Sequence, residues 1–204
     1  VSISGDYVII GAHGANNFTG CAYIFKLEGD SWIQKVQLTA SDGAERDYFG
    51  LAVSISSKYV LVGSRWDDDN GKYSGSAYIF KRDGELWTEQ AKLTPNDGAV
   101  WDEFGWGVSI SPSEDYVIVG ARGDDNDSGS AYIFKRNEEN WVQQAKLTAG
   151  DREIGDMFGL STFISANHAI IGANGDDNNS GSAYIFKREG ENWTEKAKLV
   201  ASDR

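Results

Sequence analysis

The tetrapeptide Ala-Tyr-Ile-Phe occurs four times, with its tyrosine at Tyr23, Tyr78, Tyr132 and Tyr184, and each tyrosine is followed nine residues later by a tryptophan, at Trp32, Trp87, Trp141 and Trp193. Both series step by 55, 54 and 52 residues. Four copies of a unit this long restrict the chain to a propeller or a solenoid, because one such unit cannot bury its own apolar face and must stack on its neighbours.

Within a unit the pieces are short, rich in branched and aromatic residues, and bounded by Gly, Asn, Asp and Ser, the signature of strands and turns. Helical periodicity is absent. The second unit reads as "LAVSIS" (51–56), "YVLVGS" (59–64), "SAYIFK" (76–81) and "WTEQAKLT" (87–94). The last alternates, which places Trp87, Ala91 and Leu93 on one face and Thr88, Gln90, Lys92 and Thr94 on the other, as in an outer, half-wet strand. The first two are apolar or small on both faces, as inner strands between neighbouring sheets would be. The expected fold is all-β: a four-bladed β-propeller of four-stranded antiparallel blades, one domain over 1–204, with blades at approximately 1–39, 50–94, 105–148 and 159–200. The recurring Trp and Phe are expected to pack between blades.

Leu38, Leu93 and Leu147 each precede a Phe-Gly by eleven residues, at Phe49, Phe104 and Phe158, whereas the same step from Leu199 falls beyond Arg204. Four blades thus come with three Phe-Gly connectors. A closed four-bladed ring and a piece of a larger repeat protein both satisfy this count. Val1, without a methionine or a signal-like stretch, reads as the start of a processed or trimmed chain.

At 204 residues the chain can bury roughly 70% of its unfolded surface without a disulfide scaffold. Its single cysteine, Cys21, stands where other units carry serine and is expected to be a small buried substitute. No apolar run approaches the length of a membrane span. A net charge of −12 opposes binding to nucleic acid and to anionic membranes, and leaves cations, neutral sugars and basic partners.

"DYFG" (47–50), "DEFG" (102–105) and "DMFG" (156–159), each followed by a strand and then "VGS", "VGA" or "IGA", resemble the FG-GAP repeat of integrin alpha-subunit propellers and their bacterial and algal relatives. "QLTASDGAERDYFG" and "KLTPNDGAVWDEFG" are most similar to a secreted subclass. The resemblance implies an extracellular or cell-surface adhesion protein with glycan or protein ligands. The chain departs from the family where the calcium loop would lie: "SGDY", "SSKY", "SPSEDY" and "SANH" are too short and too poor in oxygen for the six to eight ligands of calcium. Arg122-Gly123-Asp124 is the tripeptide that integrins read on their ligands, but the matching frames of the other units lack it, so it reads as an accident of the repeat.

In an up-and-down blade the loops between strands two and three share one face with the blade connectors, and here both are acidic. Asp and Asn beside Gly make turns; alternatively, Asp67, Asp69, Asp124, Asp127 and Asp176 with a connector carboxylate such as Asp102 would hold a cation, calcium being the candidate cofactor. Residues that break the repeat are the better ligand-binding candidates. His13, Arg65, Arg122 and Asn174 share one position, expected at the mouth of a central channel, and Trp66 and Trp101 lie on the same face outside the repeated tryptophan position. An indole offers a flat apolar surface to the CH face of a sugar, and neighbouring Asp or Arg can bond its hydroxyls; equally, both tryptophans can cap blade interfaces. Trp106 is expected to be buried near the axis. Asn17, Asn126, Asn178 and Asn192 head Asn-x-Ser/Thr glycosylation sequons. No nucleophile or metallohydrolase motif occurs. The sequence therefore favours a non-enzymatic adhesion or lectin-like module, with a structural segment of a larger assembly or a polysaccharide lyase or hydrolase as alternatives.

Overall fold

A computed structural model describes residues 1–202. Sixteen strands form four separate antiparallel sheets, each a meander of four sequential strands. The first holds β1 (Ser2–Ser4), β2 (Tyr7–Ala12), β3 (Cys21–Glu28) and β4 (Ser31–Leu38); the second, β5 (Val53–Ile55), β6 (Tyr59–Ser64), β7 (Ser76–Asp83) and β8 (Leu86–Leu93). The third holds β9 (Phe104–Ile110), β10 (Tyr116–Ala121), β11 (Ser130–Asn137) and β12 (Asn140–Leu147); the fourth, β13 (Phe158–Ser165), β14 (His168–Ala173), β15 (Ser182–Glu189) and β16 (Asn192–Leu199). These are the four blades of an all-β propeller. In the third and fourth blades the Phe of the Phe-Gly motif itself joins the inner strand, one residue earlier than the repeat spacing implies.

Apolar residues alternate along each strand, so each sheet offers one row to the blade before it and the other to the blade after it. Three cores result. Ile9, Ala22, Ile24 and Leu38 meet Val60, Val62, Tyr78 and Phe80; Leu61, Ala77, Ile79 and Leu93 meet Val117, Val119, Tyr132 and Phe134; Ile118, Ala131, Ile133 and Leu147 meet Ala169, Ile171, Tyr184 and Phe186. A connector phenylalanine, fully buried, completes each: Phe49, Phe104 and Phe158 stand edge-on to the Tyr and Phe of the repeated tetrapeptide at 5.4–6.1 Å. Among the described residues no matching core joins the fourth blade to the first. The inner strands nonetheless share a centre, since Ser2, Ile3, Ser54, Ile55, Ser109, Ile110, Thr162 and Phe163 line one channel of about 500 Å³.

The outer strands differ from simple alternation. A bulge between Ile79 and Phe80 on the β7–β8 ladder, repeated in the other three blades, inserts an extra residue into the outer strand. One inserted residue exchanges the faces beyond it. Trp87 therefore faces the first blade, where it meets Tyr7 edge-on at 6.1 Å, while Ala91 and Leu93 face the third. The expectation that these three share a face is corrected accordingly. Cys21 is fully buried, as its place in the serine position implies.

Glycine fixes how closely successive blades approach. A Cβ at Gly11, Gly63 or Gly120 would lie 1.8–1.9 Å from the carbonyl oxygen of the connector glycine of the next blade, Gly50, Gly105 or Gly159. Backbone cannot yield that distance, so the crossing of the Phe-Gly connector requires glycine on both sides.

Candidate functional site

The loops between second and third strands of the first, third and fourth blades contain short turns at 15–18, 124–127 and 176–179. Each has two central residues in the left-handed region: Asn16 and Asn17, Asp125 and Asn126, Asp177 and Asn178. Asn and Asp tolerate that conformation better than other side chains, so part of the Asp/Asn content is turn chemistry. The first carboxylate of each acidic loop does more. Asp67 is buried, and its carboxylate accepts bonds from Ser76 Oγ at 3.0 Å and Tyr78 OH at 2.8 Å. Lys92 Nζ, from the outer strand, completes the group: it bonds Asp67 at 2.9 Å and Asp42 at 2.7 Å and also reaches Asp69.

Asp42, Asp67 and Asp69 gather their oxygens within 4.8 Å of one another, and the lysine ammonium sits among them. The positive charge expected of a cation is thus supplied by the chain itself. Lys146 with Asp97 and Asp124, and Lys198 with Asp151 and Asp176, repeat the arrangement at 2.6–2.8 Å. Burial lowers the affinity of each lysine for its proton, but bonds to the carboxylates outweigh it and hold all three above the ordinary lysine value. In the first blade both partners change together: Ala15 stands for the aspartate and Gln37, paired across from Tyr23, for the lysine. The acidic face is consequently less negative than its loops alone suggest.

The same packing disposes of Arg122-Gly123-Asp124. Asp124 is buried against Lys146 at 2.6 Å, Arg122 Nε donates to Glu103 at 2.6 Å, and a Cβ at Gly123 would meet the Trp101 carbonyl at 2.0 Å. The tripeptide is locked into the scaffold.

Across the first three blades the face carries a continuous aromatic ridge. Phe18 stacks on Tyr48 at 5.1 Å, Tyr48 meets Trp66 at 4.6 Å, Trp66 stacks on Tyr73 at 4.7 Å, and Tyr73 meets Trp101 at 4.5 Å. His13 stacks on Tyr48 as well. The Arg65 guanidinium lies 4.1 Å and that of Arg122 4.5 Å from the centre of the half-buried Trp106 ring. Glu103 ties the ridge together, accepting the Trp66 indole N–H at 2.9 Å on one oxygen and Arg122 on the other. The structure so brings His13, Arg65, Arg122 and Trp66 into one cluster and leaves Asn174, exposed on the fourth blade, outside it.

The two candidate tryptophans part company. Trp66 is enclosed by Tyr73, Arg65 and Glu103, whereas Trp101 is 52% exposed, held at φ +73° in its connector beside Lys72. Trp101 borders a cleft of about 930 Å³ that also presents Val100, Arg122, Asp125, Asp127 and Ile154. The four sequon asparagines are exposed; Asn17 donates to Glu45. Sequence reasoning missed Tyr48, Tyr73 and Glu103. For Tyr48 and Glu103 the signal lay in the residue before each Phe-Gly, where Tyr48, Glu103 and Met157 all differ and all take positive φ.

Connector carboxylates clamp their own loops. Asp47, Asp102 and Asp156 are buried and each accepts the backbone N–H three residues earlier, at 2.6–2.7 Å. Burial pushes Asp47 and Asp102 up to about 6. A carboxyl group whose folded value exceeds its unfolded one takes up protons on folding between the two, so these groups stabilise the fold as pH falls from about 7 towards 4. Asp42 and Asp97, where lysine bonding outweighs burial, and Asp151, held down chiefly by Lys198, act oppositely and withdraw their stabilisation below about pH 4. The melting temperature is therefore expected to rise by about 2–4 °C for each of Asp47 and Asp102 between pH 7 and 4.5, and Asp102→Asn to remove its share of that slope in a pH series of thermal melts.

In a comparison with known families, the model of the FG-GAP repeat aligns to residues 32–80, 87–134 and 141–186. No match was found among curated proteins.

Proposed function

Since the chain belongs to the FG-GAP repeat family, we propose that it is a non-enzymatic, extracellular adhesion module that binds glycans in the cleft beside Trp101. The observation that carries this reading is the half-exposed indole of Trp101 at the rim of the cleft, outside the tryptophan position that the blades need for packing. Its ring offers apolar area to a sugar CH face, and Arg122, Asp125 and Asp127 stand across the cleft as hydrogen-bonding groups for hydroxyls. The non-enzymatic reading is supported by the employment of the carboxylates: those dense enough to make a catalytic pair already clamp loops or hold lysines. A second reading, a structural segment of a larger surface assembly, is favoured by the apolar faces that the first and fourth blades leave open.

Glycan-array screening followed by calorimetric titration tests the proposal. Trp101→Ala is expected to weaken binding of a recognised glycan by about 2 kcal/mol, a factor of about 30 in Kd. Absence of any glycan ligand, or an unchanged Kd in the variant, contradicts it.

A further inference from the structure

The cleft beside Trp101 is walled by three internal segments: the connector before the third blade, that blade's loop at 124–127, and Ile154 of the connector after it. Val100, Trp101 and Ile154 are all exposed, so the opening is rimmed by apolar surface from both connectors. Its volume of about 930 Å³ is that of a ligand-sized site.

Charge decides what such a cleft can take. Six carboxylates and two cationic side chains line it. Both cations are engaged: Lys146 lies between Asp97 at 2.8 Å and Asp124 at 2.6 Å, and Arg122 donates to Glu103 at 2.6 Å and reaches Met157 Sδ at 3.2 Å. Asp102 accepts the Ala99 N–H at 2.7 Å. Asp125 and Asp127 remain, both exposed. Asp125 gives one oxygen to Arg152 at 2.8 Å, and Asp127 stands 3.9 Å from Arg122. The cleft therefore offers a ligand chiefly negatively charged acceptors.

The turn itself does not call for these two carboxylates. Equivalent turns in the first and fourth blades take the same left-handed conformation, yet Asn16 stands there for Asp125, and Phe18 and Asn179 for Asp127. The same face also shows what settles in such surroundings. Lys92, Lys146 and Lys198 each hold an ammonium between carboxylates at 2.6–2.9 Å. Lys72 Nζ lies 5.3 Å from the centre of the Trp101 ring and 4.9 Å from that of Tyr73, with no ion pair among the described residues. An ammonium near an indole face gains a cation–π contact. The chain's own amines thus already use both surfaces that the cleft presents, carboxylate and indole.

We infer that the sugar bound beside Trp101 carries a free, protonated amine: the ligand class is an unacetylated amino sugar, with its CH face on the indole and its ammonium at Asp125 and Asp127. The inference rests on the glycan reading above and specifies its ligand. A neutral sugar would use the indole but leave the two carboxylates without a balancing charge, and an acidic sugar would be repelled. N-acetylation removes the charge and two of the three N–H donors of the ammonium.

Calorimetric titration of the 204-residue chain with a glucosamine trimer and with its N-acetylated counterpart tests this. The free-amine trimer is expected to bind at least about tenfold tighter at low ionic strength, the worth of one hydrogen bond to a charged group, and to lose most of that advantage in about 1 M salt. Asp125→Asn combined with Asp127→Asn, which the asparagines of the equivalent turns show to be compatible with the backbone, should bring the two trimers to the same Kd and leave that of the acetylated one unchanged. Trp101→Ala should weaken both. Equal affinity for the two trimers, or a preference that persists in the double variant, overturns the inference; if Trp101→Ala still weakens the acetylated trimer, the glycan reading stands without it. Binding of neither trimer overturns the amino-sugar assignment, and the glycan array then decides the broader reading separately. Trilysine that binds as tightly as the free-amine trimer, with or without Trp101, would assign the cleft to basic peptides and overturn the inference as well.

Discussion

Lys92→Met is expected to destabilise the fold by about 3–5 kcal/mol, read as a fall in the denaturant midpoint, because it leaves Asp67 buried beside Asp42 and Asp69 with its balancing charge removed. Tyr78 loses the same neighbour. The first blade shows the remedy: where it has Ala15 for the aspartate it has Gln37 for the lysine. The double variant Asp67→Ala, Lys92→Gln should therefore recover at least about 2 kcal/mol relative to the sum of the two single changes. Additive effects in that double-mutant cycle would mean that the lysine does not serve to neutralise the loop.

Gly120→Ala is the second change with a large expected effect. A Cβ there would lie 1.8 Å from the Gly159 carbonyl oxygen, with the Gly159 backbone wedged between Ala121 and Ser130 and unable to withdraw. A loss of about 3–4 kcal/mol is expected, or a fall of roughly 6–16 °C in melting temperature. Exchange should accelerate first in Ile118, Ile133 and Ile171, which the junction of the third and fourth blades buries. A melting temperature within 2 °C of the parent would show that the connector does not cross there.

The fold was legible because its cause is periodic. A residue that packs between blades recurs in each blade, so Tyr78, Phe104, Trp141 and their equivalents announced the cores, and β6 (Tyr59–Ser64) coincides with the strand read from its apolar run. The bulge that turns Trp87 away from Ala91 was not legible: one extra residue in an exposed strand changes no residue type and leaves the alternation looking intact. Of the site, the divergent position holding His13, Arg65 and Arg122 could be read, as could Trp101, since each breaks the repeat. The contacts Tyr48, Tyr73 and Glu103 make depend on loops from adjacent blades meeting, which no local pattern encodes. The lysines beneath the acidic loops sit in the repeat itself, and the paired exchange of Ala15 with Gln37 was the one mark of their role.

The radial arrangement of the blades underlies both the aromatic ridge and the open faces, and distances between spin labels at Asp6, Ser57, Ser113 and Ala166, all in loops joining first and second strands, test it most directly. Blades around a shared channel should place the first-to-fourth distance well below three times the first-to-second. Sheets stacked in a line would instead lengthen it by about 10 Å for every blade, and that result would contradict the account.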